Sequence, residues 1–141
     1  MGECRGGEAL DMLQAMLTGH DGSLTTLHAN SPFEAVARLA VMVRYVADLP
    51  VDVIEEHIAA ALDLIVQTVR SAEGVRYVSN VSAVRWDAEA RHCRVDTLFS
   101  RDGAHEEGKW VRLPAWVDEF ARSSLLDETE VEAWKRTVRW A

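Results

Sequence analysis

The sequence predicts an α/β fold that carries an antiparallel β and helical appendage at its C-terminal end. Residues 8–70 alternate stretches of helical period with a nearly continuous apolar run, "DLIVQTV", which is typical of a strand covered on both faces. From Gly74 onward the pattern changes to period two. These patterns assign residues 1–85 to the α/β part and residues 86–141 to a C-terminal hairpin and helical appendage.

The predicted elements of residues 1–85 follow from periodicity and helix-start signals. "GGEALDMLQAMLTG" predicts a short amphipathic helix that follows the glycine pair and ends at Gly19, and "SLTTLHA" is expected to form a short strand from Leu24 to His28. Ser31, Pro32 and Glu34 form a capping box that starts a second helix, and a third helix begins near Val51. The second helix is expected to bury one face, which consists of Val36, Leu39, Ala40, Val43 and Ala47. The third helix is expected to bury Ile54, Ile58 and Leu62.

The chain after Gly74 is predicted to contain a hairpin, an edge strand and a final helix. "VRYVSNVSAVRW" and "RHCRVDTLF" are joined by "DAEA", and "KWVRL" follows as a short edge strand. The helix "DETEVEAWKRTVRW" has acids in its first turn and Lys135, Arg136 and Arg139 near its end, which complements the helix dipole. Its apolar stripe of Val131, Trp134 and Val138 packs either on the domain or on a partner.

Length, charge and cysteine content exclude several classes of protein. The chain has 141 residues, enough for about one domain, and its net charge of −8 leaves no basic stripe for nucleic acid. We therefore expect no nucleic-acid partner. No apolar run is long enough for a bilayer and no export signal is visible, so a cytoplasmic location is expected. Cys4 and Cys93 are expected to be free thiols, with a disulfide as the less favoured alternative.

Two short stretches carry candidate chemistry. In "GECRGGEALD" a carboxylate, Glu3, is followed by Arg5, a pair suited to a metal-bound water and to phosphate charge. Taken alone, a glutamate at this position is more often solvated surface. In "TGHDGSLTTLHANSP" the imidazole of His28 can donate to a phosphate oxygen, and Thr25 and Thr26 alternate across the expected strand. A zinc site of His20, Asp21 and His28 is the alternative, but it lacks further ligands.

Taken together, "GECRGGEALDMLQAMLTGHDGSLTTLHANSP" resembles the ATPases of type II and type IV secretion systems and of pilus assembly. Within that superfamily it is most similar to the ATPases of tight-adherence (Flp) pili. The resemblance is dense from Gly2 to Pro32, continues more loosely to Arg70, and does not extend to residues 86–141. It implies that residues 1–85 are the C-terminal portion of a RecA-like P-loop NTPase domain.

The resemblance also implies roles for individual residues. Glu3, at the end of the Walker B strand, would polarise the attacking water near Mg²⁺ without being a direct metal ligand. Arg5, Thr25 and Thr26 would support the nucleotide. His28, in the histidine box, would sense the γ-phosphate, and His20 matches the first histidine of that box. The implied cofactors are ATP and Mg²⁺.

The family further implies a hexameric ring of identical subunits. Platform proteins of the inner membrane would be its partners, at the cytoplasmic face of the cell membrane. The motor would power pilus assembly or protein secretion.

The P-loop motif of such motors, G-x-x-x-x-G-K-[ST], does not occur in the sequence, because Trp110 follows the one Gly-Lys pair at residues 108–109. We therefore expect that Met1 is a miscalled or truncated start and that the chain alone binds ATP weakly or not at all. Whether this chain is itself an enzyme stays open. The alternatives are a non-catalytic truncated paralogue or gene remnant that binds a motor subunit or the membrane platform, and a small binding domain whose motif match is chance.

Overall fold

The computed structural model describes residues 2–19 and 22–138, and within them the chain forms five helices and four strands. The elements are, in chain order, α1 (Glu8–Leu17), α2 (Pro32–Arg44), α3 (Val51–Ala61), β1 (Leu64–Arg70), β2 (Arg76–Asp87), β3 (His92–Ser100), β4 (Lys109–Trp110), α4 (Val117–Arg122) and α5 (Glu128–Thr137). The strands form one antiparallel sheet in the order β1-β2-β3-β4. The predicted α/β class is confirmed.

The chain divides into two compact units. The first unit comprises Met1–Ile65 and Val84–Asp96, and the second comprises Val66–Ala83 and Thr97–Ala141. Strands β1, β2 and β3 each contribute residues to both units. The predicted domain boundary at residue 85 stays a prediction.

The core of the first unit lies among α1, α2 and α3, which pack against one another. Helix α2 starts at the predicted cap, where Ser31 Oγ accepts a hydrogen bond of 3.1 Å from the Glu34 N–H and Pro32 is the first helical residue. The predicted buried face is confirmed except for Ala47, which follows the end of α2 and is partly buried.

Two acids on α3 bind the β2–β3 hairpin. The carboxylate of Asp52 pairs with the guanidinium of Arg91, and Glu55 Oε2 accepts a hydrogen bond of 2.8 Å from the Cys93 N–H. The Arg91 hydrogen bond lowers the pKa of Asp52 below its usual value. Ile54 and Ile58 are completely buried, so α3 is held by its core contacts as well as by the hairpin.

Two strand predictions are wrong in part. "DLIVQTV" forms β1, but Leu64, Val66 and Val69 are exposed, because β1 is an edge strand of an antiparallel sheet and not a strand covered on both faces. The predicted strand Leu24–His28 is not a strand in the structure. A backbone hydrogen bond of 2.9 Å from the Cys4 N–H to the Thr26 carbonyl holds this extended segment, and such isolated pairing does not make a ladder.

The second unit contains the predicted edge strand and final helix. Strand β4 pairs with β3 so that Trp110 lies opposite Phe99. Helix α5 begins at Asp127, whose Oδ1 accepts from the backbone N–H groups of the next turn, and Val131 is buried within the unit. Trp134 packs edge-to-face on Trp110, so this side chain of the stripe contacts its own unit.

Helix α4 was not predicted from the sequence, and Arg139 of the predicted last helix lies outside the described residues. None of the helices in residues 2–19 and 22–138 combines the length and the apolar character needed to span a bilayer.

Both cysteines are free, as expected, and both are buried. Burial, followed by the charge of Glu55, raises the pKa of the Cys93 thiol to about 11 from an ordinary value of 9.0. Burial also raises the pKa of Cys4. Because only the thiolate reacts with disulfide reagents, both thiols should be protected while the chain is folded.

In a Cys4→Ala variant, we expect Cys93 to react with a disulfide reagent at pH 8 about 100-fold more slowly in the folded chain than in denaturant. The reason is that raising the pKa of the thiol from 9.0 to about 11 lowers its thiolate fraction by about that factor. The rate should rise steadily with pH toward 11. The measurement is the absorbance of the released reagent thiolate. Equal rates in the folded and denatured chain would contradict the assigned burial.

Gly108 stands where a side chain would collide with an aromatic ring. A Cβ at this position would lie 2.1 Å from Cζ of Phe99, which packs on Trp110 at a centroid distance of 5.2 Å. We expect Gly108→Ala to lower the free energy of unfolding by about 1–3 kcal/mol, the usual range for overpacking. Gly2→Ala is the matched control, since a Cβ there meets nothing within 4 Å. Denaturant unfolding of both variants makes the comparison, and equal loss would refute the collision.

Candidate functional site

Two segments far apart in the sequence lie side by side in the first unit. The Cys4 N–H donates to the Thr26 carbonyl at 2.9 Å, and Thr26 Oγ1 donates to the Gly2 carbonyl at 2.6 Å. The Cys4 side chain points into the core, where its Sγ lies 3.9 Å from Sδ of Met42. Because side chains alternate along extended backbone, Glu3 and Arg5 point away from the core.

Glu3 lies between the two predicted cationic residues. Its Oε2 accepts a hydrogen bond of 2.5 Å from Arg5 Nη2, and its Oε1 lies 3.0 Å from His28 Nε2. The Glu3 side chain is 25% exposed, whereas those of Arg5 and His28 are 75% and 84% exposed. The structure therefore brings Glu3, Arg5 and His28 together around one largely covered carboxylate, with both bases open to solvent.

The electrostatics of the site favour an ionised Glu3. The hydrogen bond from Arg5 lowers the pKa of Glu3 below its usual 4.5, partial burial opposes this, and the charges of Arg5 and His28 add to the lowering. The same hydrogen bond raises the pKa of Arg5. At neutral pH Glu3 is therefore a carboxylate whose oxygens can accept protons or hydrogen bonds.

Two buried oxygens of this region have no hydrogen-bond donor among the described residues: Glu3 Oε1 and Thr25 Oγ1. Although His28 Nε2 is close to Glu3 Oε1, the pair lacks the alignment of a hydrogen bond, so the contact is electrostatic. Leaving a buried acceptor unpaired costs about 1–3 kcal/mol. The site is thus favourable for a donor such as a water molecule. Thr26, by contrast, uses its hydroxyl to hold the backbone.

Glu8 is a residue of the site region that the sequence reasoning did not select. Its Oε1 accepts a hydrogen bond of 2.8 Å from the Arg5 N–H just before α1, as an acid in the first turn of a helix often does. This bond lowers the pKa of Glu8 and fixes the backbone of Arg5. The three-residue spacing between Arg5 and Glu8 is the signal that could have identified it.

The predicted histidine at position 20 lies outside the described residues, as does Asp21. Of the three residues in the alternative zinc site, the structure therefore describes only His28. Within residues 2–19 and 22–138 no group of three or more His, Cys, Asp or Glu side chains could hold a metal ion.

A cavity of about 440 Å³ adjoins His28 at the start of α2 and includes two residues that the sequence reasoning missed, Asn30 and Arg38. The Asn30 side-chain amide and backbone N–H both donate to Glu34 Oε2, at 2.9 and 3.2 Å. Glu34 is one helical turn before Arg38, but its carboxylate is held by Asn30. Arg38 and His28 therefore place two basic side chains at this cavity.

Most of the chain matches a known protein family. Residues 1–107 match the family described as Type II/IV secretion system protein. The chain belongs to this family. The secretion-ATPase resemblance predicted from the sequence is confirmed at that level.

Individual relatives agree with the family match. The chain is 39% identical over 87 residues to the conjugal transfer protein TrbB of Rhizobium radiobacter, covering 60% of this chain and 26% of the relative. It is 36% identical over 80 residues to the type IV secretion system protein PtlH of Bordetella pertussis, covering 54% and 24%. The chain thus spans about a quarter of the length of the curated relatives it matches.

The crystal structure of the VirB11 ATPase from the Brucella suis type IV secretion system, in complex with sulphate, resembles this structure with a TM-score of 0.53 and 32% identity. The match covers 64% of this chain and 27% of that chain. The predicted fold, a part of a RecA-like P-loop domain with an antiparallel appendage, is confirmed.

We expect Arg5→Gln to raise the pKa of Glu3 toward 4.5, because the largest cause of its lowering is the Arg5 hydrogen bond. Since the folded pKa is lowered, Glu3 contributes stability above its unfolded pKa, and that contribution is lost as the pH falls through the folded pKa. NMR titration of the Glu3 carboxyl carbon measures the shift. Arg38→Gln, which removes a base that does not contact Glu3, is the control. An unchanged Glu3 pKa in Arg5→Gln would exclude the assigned pairing.

Proposed function

We propose that this chain is the segment of a hexameric secretion ATPase that carries the catalytic glutamate and the histidine box, and that the whole motor hydrolyses ATP to power pilus assembly or protein secretion. The observation that supports this most is the ionised Glu3 carboxylate next to Arg5 and His28. Membership of the Type II/IV secretion system family supports the same proposal.

The residues of the site fit ATP and Mg²⁺. Glu3 Oε1 is a buried acceptor without a donor among the described residues, which suits a water molecule, and the Arg5 and His28 side chains are open to solvent, which suits phosphate oxygens. Glu3 would face the metal through water and would not ligate it directly. When bound, Mg²⁺ would offset the charge that develops on the transferred phosphoryl group.

Each residue has a distinct role in this proposal. Glu3 orients a water molecule and accepts its proton, for which the ionised state is required. Arg5 holds one oxygen of that carboxylate by a hydrogen bond and so orients it. His28 contacts the carboxylate and would donate to a phosphate oxygen when nucleotide is bound, so its position would report the state of the nucleotide. Thr26 holds the two segments together, while Thr25 supports the nucleotide.

We propose the same motor context for His20, the ring of subunits and the membrane partners. His20 would act as the first histidine of the box. Identical subunits would form the ring, and platform proteins of the inner membrane would anchor it at the cytoplasmic face. Among secretion systems we propose a tight-adherence pilus, because "GECRGGEALD" and "GSLTTLHANSP" resemble that branch over Gly2 to Pro32.

A second candidate is a non-catalytic truncated paralogue or gene remnant that binds a motor subunit or the membrane platform. The observation that favours it is the lack of G-x-x-x-x-G-K-[ST] in the 141 residues, because phosphoryl transfer needs the backbone donors and lysine of that loop together with the glutamate. Under either candidate we expect the 141 residues alone to show no Mg²⁺-dependent ATPase activity.

The two candidates can be distinguished by translating in frame the DNA upstream of the Met1 codon and by expressing the extended protein. If it contains the P-loop, we expect Mg²⁺-dependent ATPase activity, and Glu3→Gln should lower kcat by about 10²–10⁴-fold with little change in KM, because it removes a proton acceptor. Glu56→Gln, an exposed glutamate on α3, is the matched control and should keep the activity.

An in-frame stop codon with no motor sequence before it would favour the second candidate. An extended protein whose ATPase activity survives Glu3→Gln would exclude the proposed role of Glu3.

A further inference from the structure

A second cavity, of about 460 Å³, lies in the second unit beside β4 and α5. Its lining includes Glu107, Lys109, Trp110, Trp134 and Arg136. The family match ends at residue 107, so nearly all of this lining lies beyond the part of the chain that the family accounts for. The cavity is therefore separate from the proposed ATPase chemistry.

The aromatic wall of the cavity is held by packing within the unit. Phe99 lies opposite Trp110 in the β3–β4 pairing, with ring centroids 5.2 Å apart. Trp110 in turn meets Trp134 edge-to-face, with centroids 4.7 Å apart and an interplanar angle of 74°. Val131, one turn earlier on α5, is buried and anchors the helix. The two indole rings thus form a pre-organised apolar surface.

The cavity lining also carries hydrogen-bond donors that have no acceptor among the described residues. The indole Nε1 of Trp134 is buried and has no hydrogen-bond partner among the described residues. Lys109 and Arg136 also make no ion pair with described residues, whereas the neighbouring Lys135 binds both Asp118 and Glu132 at 2.8 Å. A buried indole N–H usually finds an acceptor, so its unpaired state is unfavourable.

The charge of the lining selects the class of ligand. Lys109 and Arg136 contribute two positive charges and Glu107 contributes one negative charge, so the lining carries one net positive charge. One net positive charge matches a carboxylate better than a doubly charged phosphate. The indole rings next to it suit an apolar or aromatic group.

We propose that this cavity binds a protein segment in which a carboxylate adjoins an aromatic side chain. The carboxylate pairs with Arg136 and Lys109, the aromatic group packs on Trp110 and Trp134, and the unpaired N–H of Trp134 is a further donor for a carboxylate oxygen. This binding does not depend on the proposed ATPase function.

The test uses N-acetyl-phenylalanine, which carries a carboxylate beside a phenyl ring, and N-acetyl-phenylalaninamide, which lacks the charge. Each is titrated into the full 141-residue chain while the indole N–H resonances are followed by NMR. We expect the acid to bind with a dissociation constant on the order of 1 mM and to shift the Trp134 indole signal. The amide should bind about tenfold more weakly, because it loses the charge-assisted hydrogen bonds.

Variants separate the contributions. Arg136→Gln should weaken binding of the acid about tenfold, and Trp134→Phe, which keeps a ring but removes the N–H, should reduce the preference for acid over amide. Arg76→Gln removes a positive charge from the same unit outside the lining and should leave binding unchanged. The thermal midpoint of each variant shows that it is folded.

Equal affinity for the acid and the amide, or equal loss in Arg76→Gln and Arg136→Gln, would overturn the proposal. So would binding that occurs only after deletion of residues 139–141, since the chain itself would then be the occupant. Absence of any indole shift with the acid would also overturn it.

Discussion

The burial of Cys4 is the constraint on which the candidate site depends. Its side chain lies in the core of the first unit, and its N–H donates to Thr26, so one residue joins α1, α2 and the 23–28 segment. Extended backbone alternates its side chains, so Glu3 and Arg5 must both face outward once Cys4 faces inward. The meeting of Glu3 with His28 then follows from the backbone pairing at Thr26.

The same packing explains why the site combines a covered carboxylate with open bases. Arg5 and His28 are long or flexible enough to reach Glu3 from solvent, and they screen its oxygens without being buried themselves. An exposed ion pair of this kind contributes little to stability. Its value lies in fixing the orientation of Glu3 through one oxygen while the other oxygen stays unpaired and can accept from a water molecule.

The two units differ in how far the known family accounts for them. The family match covers the whole first unit and the second unit as far as residue 107, whereas the Trp110–Trp134 pair lies beyond it. Residues 108–137 contain their own aromatic cluster, their own helix cap at Asp127 and a network around Lys135. These contacts hold the walls of the second cavity in place, and that cavity lies almost wholly beyond the family match.

The sequence by itself determined helices α1, α2, α3 and α5, the hairpin and the chemical character of Glu3, Arg5 and His28, because caps, periodicity and residue type are local properties. Tertiary structure alone decided that β1 is an exposed edge, that Leu24–His28 forms no ladder, and that Glu55 and Asp52 bind the hairpin. It also decided that Trp134 meets Trp110. Strand neighbours and side-chain partners are set by contacts between residues far apart in the chain, and a local pattern carries no information about them.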